Sequence, residues 1–199
     1  MKAVFGAVIA SLILTGCGND DGTPRVRVSV DAAPAVTAPI EATETVTPLT
    51  EAVDTKIADI RVILDRNSLS RLVRLANAEE NFVSNFAGES HRVHWDLLRR
   101  TGFDPLMRLG ALLEGPYGTR QVGDQTWYIW PDFAAREADD LLPEKLNFAD
   151  RARLRELVGD VGLERIRNGE SYPGIRTAIA EDGRWLYFVH ETVEETESE

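Results

Sequence analysis

Hydrophobic and polar positions divide this chain into three regimes. Residues 3–14, AVFGAVIASLIL, are an uncharged apolar run of twelve, residues 18–55 show no apolar periodicity, and from Lys56 to His190 helical and strand-like patterns alternate. In the third regime Leu69, Leu72, Val73 and Ala76 recur on one helical face behind Asn67 or Ser68, which predicts an amphipathic helix over 68–78. The segment before it, IADIRVIL at 57–64, fits a helix or a strand. Ser90 is placed to cap a helix over 91–100, with Val93 and Leu97 packed inward and Trp95 a further inward candidate, and Gly102 ends it behind Arg99 and Arg100.

Strand signals follow. QTWYIW at 125–130 has β-branched and aromatic bias and is bracketed by Gly123 and Pro131. Asp132 can cap a helix ending before Pro143, and Asp150 can start another in which Leu154, Leu157, Val158 and Val161 share a face broken by Gly159 and Gly162. IRTAIA, then Glu181, Asp182 and Gly183, then RWLYFVH describe a β-hairpin around an acidic turn. The expected architecture is α+β: a small antiparallel sheet with a C-terminal hairpin, packed against about four helices.

Composition sets the domain limits. Of fifteen Phe, Trp and Tyr residues, Phe5 lies in the apolar run and the other fourteen lie between Phe82 and Phe188. A segment without large apolar side chains cannot offset the entropy of ordering its backbone. Residues 17–55, interrupted by Pro24, Pro34, Pro39 and Pro48, are therefore expected to be a disordered tether, with an end-to-end distance of about 35 Å as a coil. RVRVSV at 25–30 alternates as a strand would, but reads as chance alternation within that tether. The globular domain is expected over 56–190 and an acidic tail over 191–199. Charge follows the same division: 56–190 carries 19 basic and 21 acidic residues, so most of the formal net charge of −11 sits in the flanking segments. That distribution argues against nucleic acid as a partner.

The first seventeen residues have the layout of an export signal, with Lys2 ahead of the apolar run and small residues behind it. Twelve helical residues span about 18 Å, short of a hydrocarbon core of roughly 30 Å. Leu14, Thr15, Gly16 and Cys17 form the run LTGC, which resembles the lipobox of bacterial lipoproteins: an apolar residue, a small one, Gly or Ala, then Cys. The resemblance implies cleavage between Gly16 and Cys17, a thioether from Cys17 to diacylglycerol, and a mature chain held to a membrane by lipid. With Gly18 after the cysteine, it also implies the periplasmic face of the outer membrane in preference to the inner one. It covers residues 14–17 and does not extend to 56–190. Cys17 is the only cysteine, so no intrachain disulfide can form.

Candidate chemistry in the domain is sparse. His91 and His94, three apart on one helix, could supply two metal ligands, but a catalytic zinc needs a third and the only other histidine is His190. They read as surface or capping histidines, with no metal and no cofactor expected. No Ser stands in GxSxG or SxxK, and no Gly-rich loop precedes a helix. The adjacent acids Glu79 with Glu80 and Asp139 with Asp140 point in different directions on a helix and read as solvated faces. Trp127, Tyr128, Ile129 and Trp130 place large apolar groups on both faces of one strand. Core burial on both faces is the leading expectation, with Trp127 and Trp130 as the candidate binding residues if one face stays open as a stacking platform for a sugar. The function expected is a noncatalytic envelope lipoprotein that binds or scaffolds a periplasmic protein or cell-wall partner. The alternative is a cell-wall hydrolase or carbohydrate-binding module.

Overall fold

The computed structural model describes residues 47–191. The signal segment, Gly16, Cys17, the tether up to residue 46 and the tail from 192 lie outside the described residues. The helices come first: α1 (Glu51–Asp65), α2 (Leu69–Ala78), α3 (His91–Arg100) and α4 (Pro105–Glu114). They are followed by β1 (Gly118–Val122), β2 (Gln125–Trp130), two single 3-10 turns (Asp132–Ala135 and Ala138–Leu141), α5 (Phe148–Arg167), β3 (Arg176–Ala180) and β4 (Trp185–Val189). The four strands form one antiparallel sheet in the order β1-β2-β3-β4, so the α+β expectation holds, with five helices among the described residues.

Local signals explain most of these elements. Thr50 accepts from the Val53 amide to cap α1, Ser90 accepts from Val93 to cap α3, and Asp104 accepts from Leu106 ahead of Pro105 in α4. The 57–64 segment is helix, because α1 runs through it. That helix starts at Glu51, inside the expected tether, and the expected boundary at residue 56 is corrected. Val53 is fully buried, and the carbonyls of Thr47 and Pro48 accept from the hydroxyls of Tyr117 and Tyr128. Val53 and Leu49 give this stretch an apolar face that its lack of aromatics conceals. At the other end Glu191, read as the first tail residue, accepts from Arg176.

Three further expectations are corrected. The face of α3 is turned: Trp95 and Leu98 are buried, whereas Val93 and Leu97 are 55% and 49% exposed. Two faces of HRVHWDLLRR are plausible, and the one that buries a tryptophan removes more apolar area from water. The segment behind Asp132 is two 3-10 turns rather than one helix. In α5, Asn147 is the cap, and Gly159 breaks the helix with φ 67°, turning Val161 out to solvent and Leu163 and Ile166 in. Helix α4 and strand β1 are additions to the expected elements.

Helices α1 to α4 cover one face of the sheet, and Tyr128, Trp130, Ile179, Trp185 and Phe188 point into them. Trp185 and Phe188 are an odd number of residues apart and would fall on opposite faces of a regular strand. They share a face because Leu186 is an extra residue in β4: Ala178 pairs with Tyr187 and Ile179 with Trp185. The bulge lets Phe82, Trp95, Trp185 and Phe188 gather in one cluster, with Phe82 and Trp185 ring centroids 4.4 Å apart. A second core (Phe133, Leu141, Leu146, Leu154, Leu163, Ile166 and Tyr172) belongs to the long excursion between β2 and β3. No helix among the described residues is long and apolar enough to cross a membrane.

Candidate functional site

The other face of the sheet is not covered by helices α1 to α4. Register fixes what it presents: Arg120 on β1 lies across from Trp127 on β2, which lies across from Ala180 on β3. In the next row Gly118, Ile129, Ala178 and Tyr187 stand side by side. The strands β2 and β4 are about 9 to 10 Å apart with β3 between them. The rings of Trp127 and Tyr187 nevertheless approach to 6.4 Å between centroids, at 64°, because β3 offers only Ala178 and Ala180 beneath them. Both alanines are fully buried. The two rings thus form the floor of a cleft of about 330 Å³.

Loops supply the walls. On the β4 side Val83 bridges to β4, its amide donating to the Leu186 carbonyl and its carbonyl accepting from Phe188, and this sets Val83 and the exposed Phe86 along the rim. On the β1 side the 3-10 turn closes down over Gly118, where a Cβ would come within 2.7 Å of Ala135 Cβ, and it brings Ala134 to the cleft. The segment after α5 adds Ser171 and Tyr172.

Two guanidinium groups line this cleft and are held in place by backbone. Arg120 donates from Nε to the Ala135 carbonyl at 3.2 Å and from Nη2 to the Arg136 carbonyl at 2.8 Å, and its nearest carboxylate, Glu137, is 3.5 Å away and exposed. Arg176 donates from Nη1 to the carbonyls of Tyr172 and Gly174, each at 3.2 Å, and from Nη2 to Glu191. Among the described residues, Arg120 Nη1 and Arg176 Nε have no partner. Burial pushes the Tyr187 hydroxyl up to about 12, with Arg176 and Arg120 pulling it back, so the phenol stays protonated as a donor. Burial also raises the Tyr172 hydroxyl, which is itself buried and has no hydrogen-bond partner among the described residues. Among the described residues, the cleft lining contains no carboxylate and no histidine.

The two candidate tryptophans are separated. Trp127 lies in the cleft floor, whereas Trp130, 1% exposed, is in the helix-covered core, which corrects its placement as a binding residue. Three positions apart on a strand, they point to opposite faces. Of the histidines, His91 Nδ1 lies 2.7 Å from Ser84 Oγ, His94 Nδ1 lies 4.0 Å from Glu89, and His190 stacks on Phe103 at 4.2 Å. All three are partly buried, which corrects the surface reading of His91 and His94. No group of three His, Cys, Asp or Glu side chains converges among the described residues. Glu79 is not a solvated acid: it accepts from Lys56 and from the Trp185 amide. Sequence reasoning missed Arg120, Arg176, Tyr172 and Tyr187, since a lone arginine or tyrosine acquires meaning only from the strand register and loop packing that bring it to the cleft over Trp127. Compared with protein-family models, with curated proteins and with solved structures, the chain matches none.

Proposed function

We propose that this chain is an envelope lipoprotein, held to a membrane by lipid on Cys17 and facing the periplasm, whose domain is a noncatalytic binding module with the cleft over Trp127 and Tyr187 as its site. The observation that carries the reading is the cleft left on the sheet face turned away from α1 to α4. Trp127 and Tyr187 stay partly exposed in its lining, and the arginines beside them are fixed by backbone carbonyls. A volume of about 330 Å³ is at the lower end of the range for small-ligand sites. Hydrolysis is the less supported reading: glycoside cleavage asks for two carboxyl groups flanking the bond, and the described residues of the lining supply none. The LTGC run at 14–17 supports anchoring.

The anionic apolar dye 1-anilinonaphthalene-8-sulfonate tests the site. It should bind the folded protein one to one, with binding lost in Trp127→Ala and Tyr187→Ala and kept in Val93→Ala on the exposed face of α3. Trp95, Trp130 and Trp185 are all buried, so acrylamide quenching of tryptophan fluorescence reports Trp127, and the dye should protect it. Unchanged dye binding in both cleft variants would overturn the reading.

A further inference from the structure

We propose that the cleft takes a sugar ring bearing a carboxylate, with Trp127 against the ring and Arg120 and Arg176 holding the acid; this rests on the cleft being a binding site. The charge of the lining points one way. Two guanidinium groups border it, and the carboxylates that meet them, Glu137 and Glu191, are outside the lining. The free donors point the same way. Arg120 Nη1, Arg176 Nε and the protonated Tyr187 hydroxyl can all donate, and a carboxylate is the compact group that accepts several such bonds at once. Both arginines are already immobilised by carbonyls, so capturing an anion costs little further side-chain entropy.

The rest of the cleft selects the body that carries the acid. The ring of Trp127 offers a flat apolar surface, and the site is too small for a chain and has room for one ring with a substituent. In the wall the exposed Ser171 carries a hydroxyl that can both donate and accept. A ring hydroxyl can pair with it either way, and a hydrocarbon or a plain aromatic acid has no such group. An acidic sugar therefore matches the charge, the ring and the hydroxyl of the wall together.

The experiment uses the full lipidated chain in detergent micelles with two probes that share one ring, N-acetylmuramic acid and N-acetylglucosamine, which lacks the lactyl carboxylate. Calorimetric titration should show the acid binding tighter by about tenfold or more, the advantage of a charge-assisted hydrogen bond. Raising sodium chloride from about 0.05 M to about 0.5 M should weaken the acid and leave the neutral sugar unchanged. Arg120→Gln and Arg176→Gln should erase the difference, and Trp127→Ala should weaken both sugars. The salt titration needs no variant, so it stands even if an arginine substitution disturbs folding. Equal affinities with equal salt dependence, or benzoate binding as tightly as the acidic sugar, would overturn this inference and leave the cleft reading intact. Binding of the naphthalene dye but of neither sugar would do the same. Failure of sugars and dye alike would overturn both.

Discussion

The indole Nε1 of Trp185 donates a 2.8 Å hydrogen bond to Thr177 Oγ1, and that hydroxyl donates in turn to the Tyr187 carbonyl at 2.7 Å. Trp185 and Thr177 are both fully buried, so the chain of bonds satisfies the one polar atom of a tryptophan at the centre of the aromatic cluster. Trp185→Ala is expected to cost about 3 to 5 kcal/mol of stability through lost burial and a cavity. Thr177→Val keeps the shape but leaves the indole donor unpaired, at a cost of about 1 to 3 kcal/mol. Denaturant unfolding measures both; a loss below about 1 kcal/mol for Trp185→Ala would refute the central role.

The N-terminal limit of the domain can be tested by truncation. Thr50 accepts from the Val53 amide and donates to the Glu181 carbonyl at 2.8 Å, so it ties the start of α1 to the hairpin turn. A chain beginning at residue 47 should match the full mature chain in stability, and Thr50→Ala should cost about 1 kcal/mol. Starting at residue 56 removes the cap and Val53, whose burial alone is worth about 1.5 to 3 kcal/mol. Equal thermal midpoints for the two truncations would return the boundary to residue 56.

Stability should fall in mild acid. His91, His94 and His190 all sit below their ordinary value near 6.5, chiefly through burial, and Arg108 and His94 add to the effect at His190 while Glu191 and, at His94, Glu89 oppose it. A depressed folded value means the unfolded chain takes up protons first as pH drops. The stability present above 6.5 is then lost progressively as pH falls from there through the folded values. His190→Gln should flatten that slope. Stability that rises between pH 7 and pH 5.5 would show the sign to be wrong.

The proposed anchoring rests on Cys17, which lies outside the described residues. Cys17→Ser keeps the size of the side chain and removes the thioether chemistry. The substituted precursor is expected to lose labelling by a clickable fatty acid and to retain residues 1–16. The intact wild type should carry acyl mass that thiol reductants do not remove. A wild-type chain whose Cys17 can be alkylated would end the lipoprotein reading, because a thioether leaves no thiol to react.

Elements whose signals are local could be read from the amino-acid sequence alone. Ser68 and Ser90 mark the starts of α2 and α3, the bias of QTWYIW marks β2, and Asp182 with Gly183 marks the hairpin turn, because caps, turns and periodicity act over a few residues. The same range explains the misses. The buried face of α3 was decided by Phe82, Trp185 and Phe188 from elsewhere in the chain, and the bulge at Leu186 by the need to put Trp185 and Phe188 on one side. The cleft lay furthest out of reach. Trp127 was identifiable as a strand aromatic, but whether its face is covered depends on where α5 and the 3-10 turns dock. Its neighbours Arg120, Ala180 and Tyr187 are set by strand register. Register minimises the free energy of the whole sheet, summed over contacts between distant segments, and no single segment carries that sum.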